Sequence, residues 1–404
     1  MILVVAMLLA VTAPQPVLRD FIGLNVHTVQ FKPALYQPVT RLVRDYHGFD
    51  WDVGDDTSHA TTFPFARNRV DWGAMYDAWK AAGCRIDACV MFEQAKTNAW
   101  KNLARDSYVY GRAFAEFFGK RQLVESIEIG NEPGKYPDAM YRSLLENAAA
   151  GIRAGDPQLK TVTCAMQAKP SGDYHKSVSL LPGLEKLYDV INIHSYPFAE
   201  LWPTWRRSFP EDPKIDYLTD IQKLIDWRNA HAPGKEVWLT EFGYDAPTKP
   251  QEKSGVTDRQ QAQYIVRSYL LFSAMDLGRA YLYWFNDDDQ PTLHAASGLT
   301  RHYQPKPAFH AVAHLLATLG DYRFSRVVQK TGELYVYEYS ATPQKRIWAV
   351  WSPVGSRQAT LPLPPVALIE KAERMPLSTE PVPVAAQATF TVEESPTYFW
   401  LTMP

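Results

Sequence analysis

Cysteine is scarce in this chain, which has only three among its 404 residues, at positions 84, 89 and 164. These three cysteines form neither a disulfide framework nor a cluster with the spacing of metal ligands. Cys84 and Cys89 lie on one predicted strand with opposite parity, so their side chains should point to opposite faces and not form a bridge. No histidine-rich or His-Glu-x-x-His spacing is present either. We therefore expect three small buried cysteines, no catalytic metal and no cofactor.

Long hydrophobic runs are also missing beyond the first residues. Residues 1–11 are apolar and have the length of a signal-peptide core, but no basic residues precede them. The run is too short to span a bilayer, and we predict no membrane span elsewhere. We favour residues 1–13 as a secretory leader of a secreted or periplasmic protein, although Pro14 argues against cleavage directly after Ala13. The alternative is a first β-strand, which leaves a cytoplasmic location open.

The chain lacks an excess of charge of either sign. It has 42 basic and 44 acidic residues, which gives a net charge of −2. This balance argues against nucleic acid or an anionic lipid surface as the partner. By contrast, aromatic residues are plentiful, with 12 Trp and 22 Tyr. Rings with apolar faces and polar rims suit sugars as well as protein cores, so a neutral glycan fits the composition.

Apolar runs typical of strands alternate with amphipathic stretches of helical period between residues 20 and 320, a pattern that indicates a parallel sheet with crossover helices. The candidate strands are residues 21–26, 40–44, 85–92, 126–130, 161–166, 190–194, 236–240 and 280–285. The main helical patterns are residues 72–82, 109–118, 139–154, 215–230 and 258–275. Eight strands predict an α/β protein with a closed (β/α)8 TIM barrel over residues 14–320.

The pattern changes at Asp321 to short β-rich runs separated by proline, glycine and serine. These runs are residues 334–339, 346–351, 358–361, 388–392 and 397–401. Residues 321–404 are therefore predicted to form a smaller β-sandwich accessory domain.

Two glutamates follow or end predicted barrel strands. Glu132 lies in Ile127-Glu128-Ile129-Gly130-Asn131-Glu132-Pro133, and Glu241 lies in Val237-Trp238-Leu239-Thr240-Glu241-Phe242-Gly243. Barrel enzymes carry their chemistry at the C-terminal ends of the strands. Glycoside hydrolysis needs one carboxyl group that donates a proton and a second that stays ionised. We therefore nominate Glu132 and Glu241 as a catalytic pair.

The two motifs resemble clan A of the glycoside hydrolases, the 4/7 superfamily, in which an Asn-Glu pair ends strand four and a second Glu ends strand seven. Three further segments narrow the resemblance to family 39 and related bacterial exopolysaccharide hydrolases: Asp20-Phe21-Ile22-Gly23-Leu24-Asn25, His194-Ser195-Tyr196-Pro197 and Pro305-Lys306-Pro307-Ala308. The resemblance implies a retaining double displacement on a β-linked glycan. It assigns Glu132 as the acid/base and Glu241 as the nucleophile.

The resemblance also implies a set of substrate contacts. Asn131 would hydrogen-bond the sugar hydroxyl beside the reacting carbon, and Trp284 would lie under the sugar as a platform. Arg44 would supply positive charge to Glu241, unless it forms an ordinary surface salt bridge. His194 and Tyr196 lie two residues apart and should point the same way. Tyr196 would contact the nucleophile and His194 the sugar; otherwise both anchor a loop.

Other residues are weaker candidates for the same pocket. Asn25 and His27, at the end of strand one, would line its floor. Three tryptophans in loops would extend a groove and favour endo action on a polysaccharide, with simple loop packing as the alternative: Trp51, Trp202 and Trp205. The acidic run at residues 287–289 either binds a cation or hydroxyls or is merely solvated.

Two alternative functions remain open from the sequence. One is a non-catalytic carbohydrate-binding barrel. The other is a lyase or metal-assisted hydrolase in which Glu132, His194 and Glu241 serve as base or ligands, although no ligand spacing in the sequence indicates a metal.

Overall fold

The computed structural model describes residues 15–30, 32–59, 61–249, 255–365 and 367–402. The predicted leader, residues 1–13, lies outside them. Among the described residues, no helix has both the length and the apolar character needed to cross a bilayer.

Eight parallel strands close into a barrel, which confirms the α/β fold expected from the sequence. Each strand pairs with the next along the chain, and the last pairs with the first. The strands are β1 (Ile22–Val26), β2 (Leu42–His47), β3 (Arg85–Val90), β4 (Ser126–Ile129), β5 (Lys160–Gln167), β6 (Val190–His194), β7 (Glu236–Phe242) and β8 (Arg279–Leu282). Because β7 runs two residues further than predicted, Glu241 is part of the strand, where neighbouring strands hold it.

Helices cover the outside of the barrel. They are α1 (Pro33–Tyr36), α2 (Phe49–Val53), α3 (Trp72–Ala81), α4 (Leu103–Phe114), α5 (Asp138–Gly155), α6 (Tyr217–His231), α7 (Asp258–Ser273) and α8 (Pro307–Leu319). Side chains set their starts: Asn102 accepts a hydrogen bond from the backbone of α4, and Thr257 forms a capping box with Gln260 at α7. The apolar period alone predicts a start at position 109. The cap at Asn102 explains why α4 begins six residues earlier.

Two antiparallel sheets follow the barrel. Their strands are β9 (Arg323–Lys330), β10 (Tyr335–Ser340), β11 (Lys345–Trp351), β12 (Arg357–Thr360), β13 (Leu368–Arg374), β14 (Thr389–Val392) and β15 (Thr397–Thr402). The larger sheet has the order β9-β10-β11-β15-β13 and ends on the short strand Val382–Pro383; β12 and β14 form the smaller sheet. Alternate residues of the large sheet, such as Val336 and Trp348, share a core with the small sheet.

The opposite face of the large sheet packs on the barrel. Its side chains, including Tyr337, Tyr339 and Trp351, belong to the main hydrophobic core. A buried polar contact reinforces this junction: Arg267 of α7 donates to Glu211 at 2.9 Å, and the Trp351 indole donates to the same carboxylate at 2.6 Å. The barrel and the sheets therefore share one continuous interior.

Candidate active site

A cleft of about 830 Å³ opens at the C-terminal ends of the barrel strands. This is the end at which (β/α)8 enzymes carry out their chemistry. Its inner walls include His27, Tyr46, Asn131, Glu132, His194, Tyr196, Glu241, Tyr283 and His294. The cleft thus brings together most of the candidate residues nominated from the sequence.

Glu132 and Glu241 face each other across a histidine. A carboxylate oxygen of each glutamate and a ring nitrogen of His194 all lie within 4.8 Å of one another. His194 Nδ1 is 2.9 Å from Glu132 Oε1 and 3.6 Å from Glu241 Oε2. The two carboxyl groups and the imidazole therefore form one coupled set of titrating groups.

Glu241 is surrounded by hydrogen-bond donors. Arg44 Nη1 lies 3.1 Å from its Oε1, the Tyr46 hydroxyl donates to the same oxygen at 2.7 Å, and the Tyr196 hydroxyl donates to Oε2 at 2.7 Å. Burial alone raises the pKa of this carboxyl, but the charges of His194 and Arg44 and the two tyrosine hydroxyls outweigh it, so the pKa of Glu241 is lowered. Glu241 is built to stay ionised.

Glu132 has the opposite environment. Burial raises the pKa of its carboxyl, the negative charge of Glu241 adds to this effect, and the hydrogen bond with His194 only partly opposes it. Burial also lowers the pKa of His194, but the two glutamates outweigh burial and the pKa of His194 is raised. Glu132 is therefore the carboxyl of the pair that retains a proton more readily.

The hydrogen bonds of His194 fix which ring nitrogen carries a hydrogen. The side-chain Nδ2–H of Asn192 donates a hydrogen bond to Glu128, so its Oδ1 is the atom that accepts from the Thr240 hydroxyl at 2.5 Å. The Thr240 oxygen is then left to accept from His194 Nε2 at 3.1 Å. With Nε2 committed as a donor, Nδ1 either accepts a proton from Glu132 or donates one to it. The chain of contacts thus places one mobile proton between His194 and Glu132.

Arg44 is completely buried, so the alternative of a surface salt bridge is wrong. Its Nε and Nη2 atoms contact the two oxygens of Glu128 at 2.8 and 2.7 Å, a fork that fixes the guanidinium plane. Nη1 donates to Asn25 at 2.8 Å as well as to Glu241. Burial raises the pKa of Glu128 to about 7, with Arg44 opposing that effect. The arginine is a fixed positive charge beneath Glu241.

The segment that carries Glu132 is held from below by Glu93. Its Oε1 accepts from the backbone N–H groups of Asn131 at 2.9 Å and Glu132 at 3.1 Å. Gly130 turns the chain at φ +85°, in the left-handed region that favours glycine, and a Cβ atom there would lie 3.3 Å from Glu93 Oε2. Arg44 Nη2 donates a hydrogen bond to the Asn131 side-chain oxygen at 2.8 Å. The side-chain nitrogen of Asn131 is therefore the group that can donate a hydrogen bond to a substrate.

Several of these residues were not predicted from the sequence: Tyr46, Glu93, Glu128, Tyr283 and His294. Tyr46 had a usable signal, because it lies two residues after Arg44 on β2 and therefore on the same face of the strand. Glu93 could not have been predicted in this way. It lies in a short helical turn after β3 and accepts hydrogen bonds from backbone groups that are far away in the sequence.

Two predicted pocket residues occupy different positions. Asn25 is fully buried below the cleft and does not line its floor; it donates to the Thr240 carbonyl at 2.8 Å and supports Arg44. Trp284 does not line the cleft either. It stacks against Tyr283 with ring centroids 5.2 Å apart, and Tyr283 presents its ring to the cleft instead. His27 does line the wall and packs edge-on against Trp284.

The loop tryptophans divide in the same way. Trp51 belongs to α2 and stacks on Trp72 at 5.8 Å, so it is packed beside the barrel and does not line the cleft. Trp202 is 77% exposed and also lies outside the cleft wall. Trp205 does line the wall, together with the neighbouring Leu201. The sequence alone did not show which of these three tryptophans lines the cleft.

The acidic run at residues 287–289 is largely neutralised by the protein itself. Asp287 is buried and accepts from Lys306 at 3.0 Å and from the Gly298 backbone at 2.9 Å. Asp289 lies 3.3 Å from Arg301. These contacts hold the loop after β8 in place. The prediction that the whole acidic run is merely solvated is therefore wrong.

No protein-family model matches the chain, and no curated protein matches it. Solved structures do. A family 39 glycoside hydrolase from Bacteroides cellulosilyticus WH2 is similar with a TM-score of 0.71 and 17% identity over 97% of this chain and 83% of that one. A glucosidase from Croceicoccus marinus has a TM-score of 0.63 with 12% identity over 97% and 98%. A family 30 endoxylanase from Clostridium papyrosolvens C71 has a TM-score of 0.57 with 13% identity over the same shares. The TM-scores establish a likeness of fold, and at these low identities they show the fold alone; the family 39 structure is among the chains that share it.

Proposed function

We propose that this protein is a glycoside hydrolase that cleaves a β-linked glycan by retaining double displacement, with Glu132 as acid/base and Glu241 as nucleophile. The observation that carries the proposal is that one carboxyl oxygen of Glu132 and one of Glu241 lie within 4.8 Å of each other, while the two groups have opposite electrostatic environments. Retaining enzymes hold the two groups about 5 to 5.5 Å apart, whereas inverting enzymes leave roughly 6.5 to 9.5 Å for a water molecule. The glycosidases and xylanases among the similar structures support the same reaction class.

In the first step, a Glu241 oxygen attacks the anomeric carbon as the bond to the leaving oxygen breaks. Glu132 donates its proton to that oxygen, which leaves as an alcohol. The product is a sugar ester of Glu241. In the second step, Glu132 removes a proton from water, the water oxygen attacks the anomeric carbon, and Glu241 departs as a carboxylate. Arg44 and the two tyrosine hydroxyls stabilise Glu241 whenever it is charged.

His194 suits the change of role that Glu132 undergoes between the steps. When Glu241 becomes an ester, its negative charge disappears, and both Glu132 and His194 lose the neighbour that raised their pKa values. Glu132 is then more readily ionised and acts as a base. Because His194 Nε2 is committed to Thr240, only Nδ1 exchanges a proton with Glu132.

The rim of the cleft supports a polymeric substrate and endo action. Tyr174 and Leu201 line the mouth and are 61% and 64% exposed. Trp202 follows directly in the same loop. The exposed rings of Tyr174 and Trp202 offer stacking surfaces for sugars beyond the reacting one.

The test combines a substrate panel with the stereochemistry of the product. The protein is incubated with 4-nitrophenyl β-glycosides of common pentoses and hexoses and with β-linked polysaccharides, and NMR follows the anomer that forms first. We expect the β-anomer first, and we expect Glu241→Gln to abolish turnover while the fold stays intact. Glu116→Gln, an exposed glutamate on the barrel surface, is the matched control. First formation of the α-anomer, or full activity in Glu241→Gln, would overturn the mechanism.

One observation favours a second candidate, a metal-assisted reaction: Glu132, His194 and Glu241 offer three ligand atoms within 4.8 Å. Against it, Arg44 places a fixed positive charge 3.1 Å from Glu241, and two tyrosine hydroxyls already occupy the carboxylate oxygens. Elemental analysis of the purified protein and activity in the presence of a chelator separate the two candidates. Sugar binding without turnover would favour the non-catalytic carbohydrate-binding alternative.

A further inference from the structure

A second histidine, His294, lines the cleft on the side of Glu241. It lies in the loop between β8 and α8 with φ +65°, a left-handed conformation that non-glycine residues seldom adopt. Its ring lies 4.5 Å from that of Tyr196 and 5.5 Å from that of Tyr283, measured between centroids. Tyr196 is itself bonded to Glu241. The strained backbone therefore holds an imidazole beside the reacting groups.

Arg207 fixes the hydrogen on the His294 ring. Its Nη2 atom lies 3.3 Å from His294 Nδ1, and a guanidinium only donates hydrogen bonds. Nδ1 must therefore accept, and the ring hydrogen resides on Nε2. Asp245 holds Arg207 in place through the same Nη2 atom at 2.9 Å, and the Phe198 ring packs 4.0 Å from the guanidinium carbon.

The surroundings also keep this imidazole neutral. Burial and then the Arg207 charge lower the pKa of His294 to about 4, although Asp245 and Glu241 act in the opposite direction. His194 differs sharply, because its two glutamate neighbours raise its pKa. One histidine of the cleft exchanges protons, and the other is a neutral donor.

We propose that His294 is a specificity-determining residue whose Nε2–H donates a hydrogen bond to a ring hydroxyl of the sugar bound beside Glu241 and Tyr283. Within the described parts of the chain, no group accepts a hydrogen bond from His294 Nε2. A neutral N–H donor in a partly dry pocket recognises a hydroxyl oxygen and discriminates against a sugar that lacks it. This inference rests on the proposed glycosidase function.

The first test needs no substrate. Nitrogen NMR of the protein with ¹⁵N-labelled histidine reports which ring nitrogen carries the hydrogen, and the His294→Asn spectrum assigns the signal. We expect His294 to remain the neutral Nε2–H form between pH 5 and 8. A hydrogen on Nδ1, or protonation of the ring within that range, would overturn the proposal.

The second test uses 4-nitrophenyl glycosides of the sugar that the wild-type protein hydrolyses best and its monodeoxy derivatives. Asparagine tolerates the left-handed conformation, so His294→Asn removes the imidazole with little backbone cost. We expect kcat/KM to fall by about tenfold with the parent sugar and to stay nearly unchanged with the one derivative that lacks the recognised hydroxyl. A loss of equal size with every derivative would overturn the proposal.

His302→Asn is the matched control for this experiment. His302 lies in the same loop with φ +48°, but its side chain is 65% exposed and does not line the cleft. We expect its kinetics to match those of the wild type. If the wild-type protein hydrolyses no glycoside, the proposed function fails, and the NMR measurement still decides the state of His294 independently.

Discussion

At the scale of the residue, the two glutamates differ in the groups that face them, and this difference is measurable through the leaving group. Glu132→Gln keeps the shape of the side chain but has no proton to donate. We expect kcat/KM to fall by about 10²- to 10⁴-fold for alkyl or disaccharide substrates, whose leaving alkoxides need protonation. Activated 2,4-dinitrophenyl glycosides should lose far less, because their leaving group departs as a stable phenolate. Equal losses for both substrate classes would remove Glu132 as the acid.

The same two side chains predict a bell-shaped pH profile of kcat/KM. Glu241 must be ionised, and its lowered pKa sets an acidic limb below the ordinary glutamate value. Glu132 must be protonated, and its raised pKa sets the opposite limb above that value. Removing a donor from Glu241 disfavours its charged form, so Tyr46→Phe should raise its pKa and move the acidic limb to higher pH. An acidic limb that stays in place in this variant would mean that the limb belongs to another group.

The positions of motif residues at the cleft were predictable from the sequence, whereas the positions of residues from distant segments were not. Glu132 and Glu241 follow from strand ends and from the chemistry of paired carboxyls. Tyr283 was missed in favour of Trp284, because the turn of the chain after β8, and not the size of the ring, decides which aromatic faces the cleft. His294 was not predicted because its contact with Arg207 joins residues 87 positions apart.

At the scale of the element, the turn after β4 depends on the carboxylate of Glu93. Glu93→Ala would leave the partly buried backbone N–H groups of Asn131 and Glu132 without this acceptor, at a cost of about 1 to 3 kcal/mol for each group left unsatisfied. Glu93→Gln keeps an acceptor oxygen in the same place. We expect the alanine variant to lose about 2 kcal/mol or more in the free energy of unfolding and to lose activity. Urea denaturation with both variants checks this, and equal destabilisation by alanine and glutamine would contradict it.

Elements with a clear apolar period were predicted well, and those without one were missed. The strands of the barrel are almost entirely buried, and strands such as β6 and β7 consist mostly of apolar residues. β9 and β13 were not predicted because most of their residues are charged or polar, and only Ala372 among them is buried. Their pairing is set by neighbouring strands and not by their own side chains.

At the scale of the whole molecule, the large sheet packs on the barrel with one face and on the small sheet with the other. Trp351 sits at the centre of the barrel contact: it is fully buried, bonds to Glu211 and stacks on Tyr335 with centroids 5.1 Å apart. Trp351→Ala should lower the free energy of unfolding by about 3 to 5 kcal/mol. Val354→Ala, at a position 52% exposed, is the control and should change it by less than about 0.5 kcal/mol.

The shared interior also predicts how the molecule unfolds. Because Arg267 and Glu211 are buried between barrel and sheet, cutting the chain at Asp321 would expose a charged pair together with the apolar surface around Tyr339. We expect the truncated barrel to melt at a lower temperature than the full chain or to aggregate. We also expect calorimetry of the full chain to show one cooperative transition that Trp351→Ala shifts as a whole. Two separate transitions, with the barrel's melting temperature unchanged by truncation, would mean that the sheets are tethered to the barrel without stabilising it.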